Sequence, residues 1–316
     1  MSEDKYARVR LNSLPSGHAI PFDLYVQIGG KFIHYLRAGD KLAADRIHNL
    51  EKRAPESFYV LTTDRLKYKT FIHSHIHGNL LAPDEKAVIL RESSMALVEE
   101  LYESEDIERA LDDSKEIIGS FIEFMGSDPA AMAHLVGLSS HDFYTYNHSL
   151  DVSIYCLGLG QAAGYSEADL QELGVGGLFH DIGKRNVPIE IITKAGGLDE
   201  AEWALMQKHP QYGLIILEEN KSSDAIKACC FEHHESFLGN GYPQQLTGPE
   251  IHPMARITAI ADTYDALTTK RSYNSPMRPK DAVDLILTKL AGRYDPDLLK
   301  ALSEVLFRMQ DHKIAV

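Results

Sequence analysis

The sequence holds no apolar run long enough to cross a bilayer. Its start, MSEDKYARVR, is charged and lacks the apolar core of a secretory signal. Together these absences set a cytoplasmic location as the expectation, with no membrane partner. Positive charge is also scarce: 32 Lys and Arg stand against 46 Asp and Glu, a formal net charge of −14. That balance excludes broad binding to duplex nucleic acid or anionic membranes, which requires basic surfaces. A small anionic substrate stays open, because metal ions and a few cations can reverse the local potential. Only three cysteines occur, Cys156, Cys229 and Cys230. An odd count with two adjacent suits reduced thiols better than a disulfide framework. There is no internal repeat and no low-complexity tract.

At 316 residues the chain exceeds what a single core usually organises, so two domains are expected. Residues 1–83 read as a small α+β domain of regulatory or interaction type. DLYVQI and KFIHYL flank Gly29-Gly30, the signature of a hairpin with a glycine turn. KLAADRIHNLEKR then has helical spacing, with Leu42, Ile47 and Leu50 on one side, and SFYVLTT is a further strand. The Pro83-Asp84 step marks a boundary, with Asp84 as a candidate N-cap.

Residues 84–127 are polar with apolar residues at helical intervals, among them Leu97, Leu101, Ile107, Leu111, Ile117, Ile118 and Phe121. They form one or two long helices that link the domains or pair two subunits in a homodimer. An amphipathic helix packed on its own domain accounts for the pattern equally well. Beyond Asp128 nearly every segment reads as helix. The fold class expected is therefore mainly α: an α+β N-terminal domain followed by an all-α bundle over 128–316.

Fifteen histidines decide nothing by number; their spacing does. In LGVGGLFHDIGK the pair His180-Asp181 closes an apolar helical run. Burying such groups is costly unless they are paired, hydrogen-bonded or bound to metal. His148 lies on the preceding helix, His209 in QKHPQYG where Pro210 opens a new helix, and His233-His234 stand side by side in CCFEHHESFLGNGYP. Asp262 falls in ARITAIADTYDAL, a mostly apolar helix in which an acidic residue needs a partner. Each alone has a structural explanation, and His141-Asp142 is read as a helix start. Five histidines and two aspartates beside apolar runs are harder to explain that way. Imidazole with carboxylate suits iron, manganese or zinc.

HDIGK, KHP, HHESFLGNGYP and AIADTYDALTTKRSYN resemble, in order and spacing, the motifs of the HD-GYP family, a branch of the HD phosphohydrolases. The resemblance covers roughly Asp142 to the C-terminus and leaves the first eighty or so residues uncovered. It implies an all-α bundle around a metal centre and hydrolysis of cyclic di-GMP to linear pGpG or to GMP. It also implies two divalent metal ions, iron first, with manganese or zinc as alternatives. His148, His180, Asp181 and Asp262 would hold one ion. Asp181 would bridge to a second, held by His209, His233 and His234. Some members hold a third metal through a glutamate four residues before the position of His148. Here that position is Tyr144, so two metals are expected.

Phosphodiester hydrolysis needs a nucleophile at neutral pH and stabilisation of charge on the phosphoryl oxygens, and a metal-activated hydroxide at a two-metal site supplies both. Asp181 and Lys184 are the catalytic candidates. Lys184, one helical turn after His180, is read as contacting the scissile phosphate and serving the leaving oxygen; a solvated lysine at a helix end is the plain alternative. Arg271 matches a family arginine that holds phosphate, a task suited to a planar fork. Tyr242 is read as a loop residue that meets the substrate, on a loop that Gly239 and Gly241 allow.

Two positions depart from the family pattern. Leu238 stands where the loop usually has aspartate, which leaves the loop conformation open. Asn274 stands where a basic residue is frequent, which removes a phosphate contact. The leading expectation is a cyclic di-GMP phosphodiesterase whose N-terminal domain regulates it or attaches it to a signalling partner. A slow or inactive metal- and cyclic-di-GMP-binding sensor is the alternative from the binding class. A third is hydrolysis of another phosphate ester, against which the GYP loop argues.

Overall fold

The computed structural model describes residues 5–42, 57–104, 106–128, 130–138, 145–194, 196–269 and 276–313. Two compact units divide the chain. The first comprises Met1–Glu100 and Phe124–Leu135, and the second Leu101–Glu123 and Val136–Val316.

The first unit is built on a four-stranded antiparallel sheet of β1 (Tyr6–Val9), β2 (Leu24–Ile28), β3 (Lys31–Leu36) and β4 (Ser57–Leu61), in the order β1-β4-β2-β3. The expected hairpin joins β2 to β3. Gly29 and Gly30 both take positive φ, 56° and 72°, which matches the twist of a two-residue turn and which a side chain would strain. Alternation along β1 and β2 buries Ala7, Val9, Leu24 and Val26 on one face. Helix α1 (Arg65–His77) adds Tyr68, Phe71 and Ile72 to that core, where Phe22 meets the Tyr68 and Phe71 rings edge-on. The Tyr68 hydroxyl, buried with these rings, is satisfied by Ser13 Oγ at 2.7 Å. The helix expected over KLAADRIHNLEKR falls almost wholly outside the described residues.

The stretch read as one or two helices is two, α2 (Pro83–Glu103) and α3 (Ile107–Ser127). Helix α2 starts one residue earlier than expected, so Asp84 sits in its first turn and is not the cap. Glu85 reaches back instead to accept from the Ala82 amide at 2.9 Å. Among the described residues, no helix is long and apolar enough to cross a membrane.

Among the described residues, the regular elements of the second unit are all helices. After α4 (Ala131–Gly137, most of which belongs to the first unit), it continues with α5 (Thr145–Ala162) and α6 (Glu167–Phe179). Next come α7 (Ile189–Ile192), α8 (Glu200–Met206), α9 (His209–Glu219) and α10 (Asp224–Glu232). The last three are α11 (Pro253–Thr268), α12 (Pro279–Thr288) and α13 (Pro296–Lys313).

Helix α6 is the centre of this unit, buried continuously from Leu173 to Phe179. A capping box of Ser166 and Asp169 opens it. Glycines cost a helix about 1 kcal/mol each relative to alanine, yet α6 carries three in four residues. Packing accounts for them. A Cβ on Gly176 would lie 2.6 Å from Cys229 Sγ, and one on Gly177 would lie 3.1 Å from both Cys156 Sγ and Ser153 Cα. The small side chains of α5 and α10 thus approach the α6 backbone closely. This explains the three cysteines, all buried free thiols used as small packing groups. Burial raises the Cys229 thiol to about 12, consistent with an inert role.

Candidate metal centre

The functional candidates sit at the places where helices end. His180 is the C-cap of α6, and Asp181 follows with φ −103° and ψ 10°, outside the helix. The chain then tightens into a 3-10 segment, Ile182–Asn186. Lys184 therefore does not continue the α-helical face of His180, as the spacing suggested. The tighter turn aims its ammonium at the Asp181 carboxylate, with which it pairs directly. The 3-10 segment is forced by a crossing of main chains. A Cβ on Gly183 would lie 1.9 Å from the His209 carbonyl oxygen and 2.4 Å from the Gly213 nitrogen. A Cβ on Gly213 would in turn strike Cys230 Sγ at 2.2 Å. Two glycines thus let the first turn of α9 press against the segment after Asp181. This contact delivers His209, the first residue of α9, to the site.

His233 is the C-cap of α10 and His234 follows it. His148 projects from the first turns of α5, and Asp262 from the third turn of α11. All seven residues expected as ligands converge. Asp181 lies between the two groups. Its Oδ2 is 3.4 Å from His148 Nε2 and 3.3 Å from His180 Nε2, while its Oδ1 is 3.2 Å from His209 Nε2 and 3.8 Å from His233 Nε2. Asp262 Oδ1 stands 3.3 Å from His148 Nε2. Ligand-type atoms lie within 4.8 Å of one another in the sets His148–His180–Asp262, His209–His233–His234 and His180–Asp181–His233.

Hydrogen bonds on the far side of the rings set the tautomers. Backbone carbonyls accept from three Nδ1 atoms: Gly177 O from His180 at 2.7 Å, Met206 O from His209 at 2.7 Å, and Cys230 O from His233 at 2.8 Å. A neutral ring that donates at Nδ1 presents a lone pair at Nε2. His209 Nε2 and His233 Nε2 therefore face each other as acceptors across 3.4 Å. His180 Nε2 and Asp181 Oδ1 are buried with no hydrogen-bond partner. Uncompensated acceptors of this kind cost a fold several kcal/mol as an order of magnitude, and a cation removes that cost. The donor set fits divalent metal ions, with imidazoles oriented by second hydrogen bonds as metal-bound histidines are.

The electrostatics agree. Burial works against the charged form of every group. Even so, the Lys184 ammonium and the neighbouring rings hold the Asp181 carboxyl well below the usual carboxylate range, and His148 does the same for Asp262. Burial lowers His234 to about 3 and pushes His233 well below the ordinary imidazole value, so both are neutral and ready to coordinate. His148 departs in the other direction. Burial opposes its charge, but hydrogen bonds to Asp181, Asp262 and Asp265 outweigh that and raise it well above 6.5. A proton on His148 fills the place of a cation among the carboxylates, and a metal ion competes with it.

Asp265 was absent from the expected site. It is fully buried, accepts from His148 Nδ1 at 2.7 Å and is itself held by Thr269 Oγ1 at 3.1 Å. The available signal was a second acid three residues after Asp262 on an apolar helix, hence on the same face. Glu235 was also given no role. Buried behind His234, its carboxylate accepts from the amides of Gln244 (2.6 Å), Gln245 (3.1 Å) and Leu246 (3.0 Å). This fastens the loop that carries Tyr242. The Tyr242 ring stacks on His234, with centroids 4.7 Å apart and planes inclined at 27°. Gly239, at φ 79°, and Gly241, whose Cβ would lie 2.4 Å from the Ser236 nitrogen, meet positions no side chain fits. Leu238 bridges through its backbone to Thr247 and leaves its side chain exposed, so the aspartate found there in the family pattern is not needed to close this loop. Arg271, Asn274, Tyr144 and the His141-Asp142 pair lie outside the described residues.

Comparison with known proteins matches a family model described as an HD domain to residues 131–298. A cyclic di-GMP phosphodiesterase of Pseudomonas aeruginosa is 33% identical over 71% of this chain and 53% of its own length. A 3'3'-cGAMP-specific phosphodiesterase of Vibrio cholerae is 37% identical over 50% of this chain and 30% of its own. The chain thus spans about half, or less, of the length of these curated relatives. Among solved structures, an HDG"Y"P protein from Bdellovibrio bacteriovorus superposes with a TM-score of 0.75 at 23% identity, covering 95% of this chain and 99% of that one. That likeness concerns the fold.

Proposed function

The chain belongs to the HD-GYP branch of the HD domain family, and from that premise we propose that it hydrolyses a cyclic dinucleotide, cyclic di-GMP first, to pGpG or GMP. The single observation that carries the reading is the placement of Asp181. Its two oxygens face two separate imidazole groups, the arrangement of a carboxylate shared by two cations. His148, His180 and Asp262 would hold one divalent ion with Asp181, and His209, His233 and His234 the other. The donor set accepts iron, manganese or zinc, of which the reading takes iron first. Ions bound here supply a water activated at neutral pH and neutralise charge on the phosphoryl oxygens.

The remaining work belongs to the chain. Lys184, paired with Asp181 and partly exposed, carries a cation at the edge of the centre. There it contacts the scissile phosphate and gives a proton or a hydrogen bond to the leaving oxygen. Arg271, by the family resemblance, is the arginine that holds phosphate. Tyr242, fixed on His234, lines the entry. The N-terminal unit regulates the second or attaches it to signalling partners.

The test is anaerobic incubation of the full chain with cyclic di-GMP and Fe(II) or Mn(II), then chromatography of the products against a His180→Ala/Asp181→Ala blank. Formation of pGpG or GMP by the wild type alone is the expected result. Metal binding without product would replace the enzyme by the sensor.

A further inference from the structure

We propose that Trp203 is the stacking platform for a nucleobase of the substrate, set beside Tyr242 at the mouth of the metal centre. The inference rests on the cyclic dinucleotide reading above and assigns a specificity residue to it.

Trp203 is the chain's only tryptophan, and it remains 47% exposed. A tryptophan is among the side chains with most to gain from burial, so its exposure needs a cause. The helix that carries it is held by other means. None of the seven residues of α8 is buried. A capping box of Asp199 and Glu202 opens the helix, and Lys194 grips Glu202 at 2.5 Å. Polar contacts thus fix an element whose largest apolar group is left about half exposed. That group is not at a random place. The indole meets the Tyr242 ring edge-on at 6.3 Å and 78°, and Tyr242 stacks on His234 at 4.7 Å. The indole centroid therefore lies within about 11 Å of a ring that faces the metal centre. The indole thus stands beside the centre, on the side that the Tyr242 loop covers.

A T-shaped contact with Tyr242 can occupy only one broad face of the indole, so at least one is left uncommitted to that partner. A dinucleotide whose phosphate lies at Asp181 and Lys184 can lay one base on such a face. Stacking tolerates any base, since each has a π-face. The platform therefore sets affinity for cyclic dinucleotides over base-free phosphodiesters and leaves guanine versus adenine to other contacts.

The test compares the metal-loaded full chain with Trp203→Ala and Trp203→Phe. Alanine is expected to raise KM for cyclic di-GMP by about 5- to 150-fold, the range of a lost base–aromatic stack. It should leave kcat within about twofold and metal content unchanged, since binding shared by ground and transition states moves KM alone. Phenylalanine, which keeps a flat ring, should restore most of the affinity. It decides the matter if the alanine variant loses helix content. The wild-type tryptophan emission, excited at the red edge where tyrosine does not absorb, comes from Trp203 alone and should be quenched on rapid mixing with cyclic di-GMP. Inorganic phosphate, which has no base, should leave it unchanged. Normal wild-type turnover with an unmoved KM in Trp203→Ala, or equal quenching by phosphate, would overturn the platform. If the metal-loaded wild type neither turns over nor is quenched by any cyclic dinucleotide, the phosphodiesterase reading fails, and the platform with it.

Discussion

His148 Nδ1 lies 2.7 Å from Asp265 Oδ2, and neither side chain is more than 2% exposed. The carboxylate fixes the ring's orientation and directs Nε2 at Asp181 and Asp262. Removing such a partner of a metal-bound histidine usually costs about 10- to 100-fold in metal affinity. Asp265→Ala should show a loss of that size in competition with a fluorescent chelator. Wild-type affinity in the variant would mean that packing alone orients His148.

His180→Ala with Asp181→Ala removes one imidazole and the carboxylate that faces both groups. Metal analysis of the purified variant should find the centre empty. Full stoichiometry would show that the ions sit elsewhere.

Lys184→Ala should keep its metal and lose rate, by about 100-fold if the ammonium meets charge that develops in the transition state. Steady-state kinetics on metal-loaded protein distinguishes this from a surface role, in which kcat would not move.

Glu235→Ala leaves the amides of Gln244, Gln245 and Leu246 without their acceptor. A loss of about 1–3 kcal/mol is expected in urea unfolding, with a raised KM as Tyr242 is released. Unchanged stability would mean that water replaces the carboxylate at no cost.

The pH dependence of the metal-free protein has two limbs. His234, lowered from 6.5 to about 3, and His233, lowered also, take protons in the unfolded chain first. Folding stability therefore falls as pH drops from about 6.5 towards 3. The Asp181 and Asp262 contribution, present above about 3.8, is lost as pH falls through their depressed values. His148 has the opposite sign: its contribution is complete below 6.5 and is lost as pH rises through its raised value. Urea midpoints across pH should show both limbs, and His234→Gln should flatten the acid one. An unaltered acid limb would count against a neutral buried ring at that position.

Much of this was legible before any coordinates. Gly29-Gly30 marked the hairpin, and polar residues closing apolar runs marked His180, Asp181 and His233, since a local pattern reveals a group that burial would penalise. What escaped depends on distant partners. Strand β1, four residues long within a charged stretch, exists through its pairing with β4 some fifty residues on. Asp265 acquires its role from His148, 117 residues away. The 3-10 turn that redirects Lys184 follows from the pressure of α9 on Gly183. Glu235 is defined by three amides that converge only once the loop has closed.

The crossing at Gly183 and Gly213 has a consequence for how this chain can diverge. Two main chains touch there without a side chain between them, so no change of rotamer can adjust the gap. Apolar residues elsewhere in the bundle can be exchanged for others of similar volume, because neighbours repack. A methyl group on Gly183 meets only backbone there, so it would displace Asp181 and His209 together. The separation between the two halves of the centre is thus held by the covalent backbone. Relatives that share this site can differ widely in their cores and still keep that one dimension.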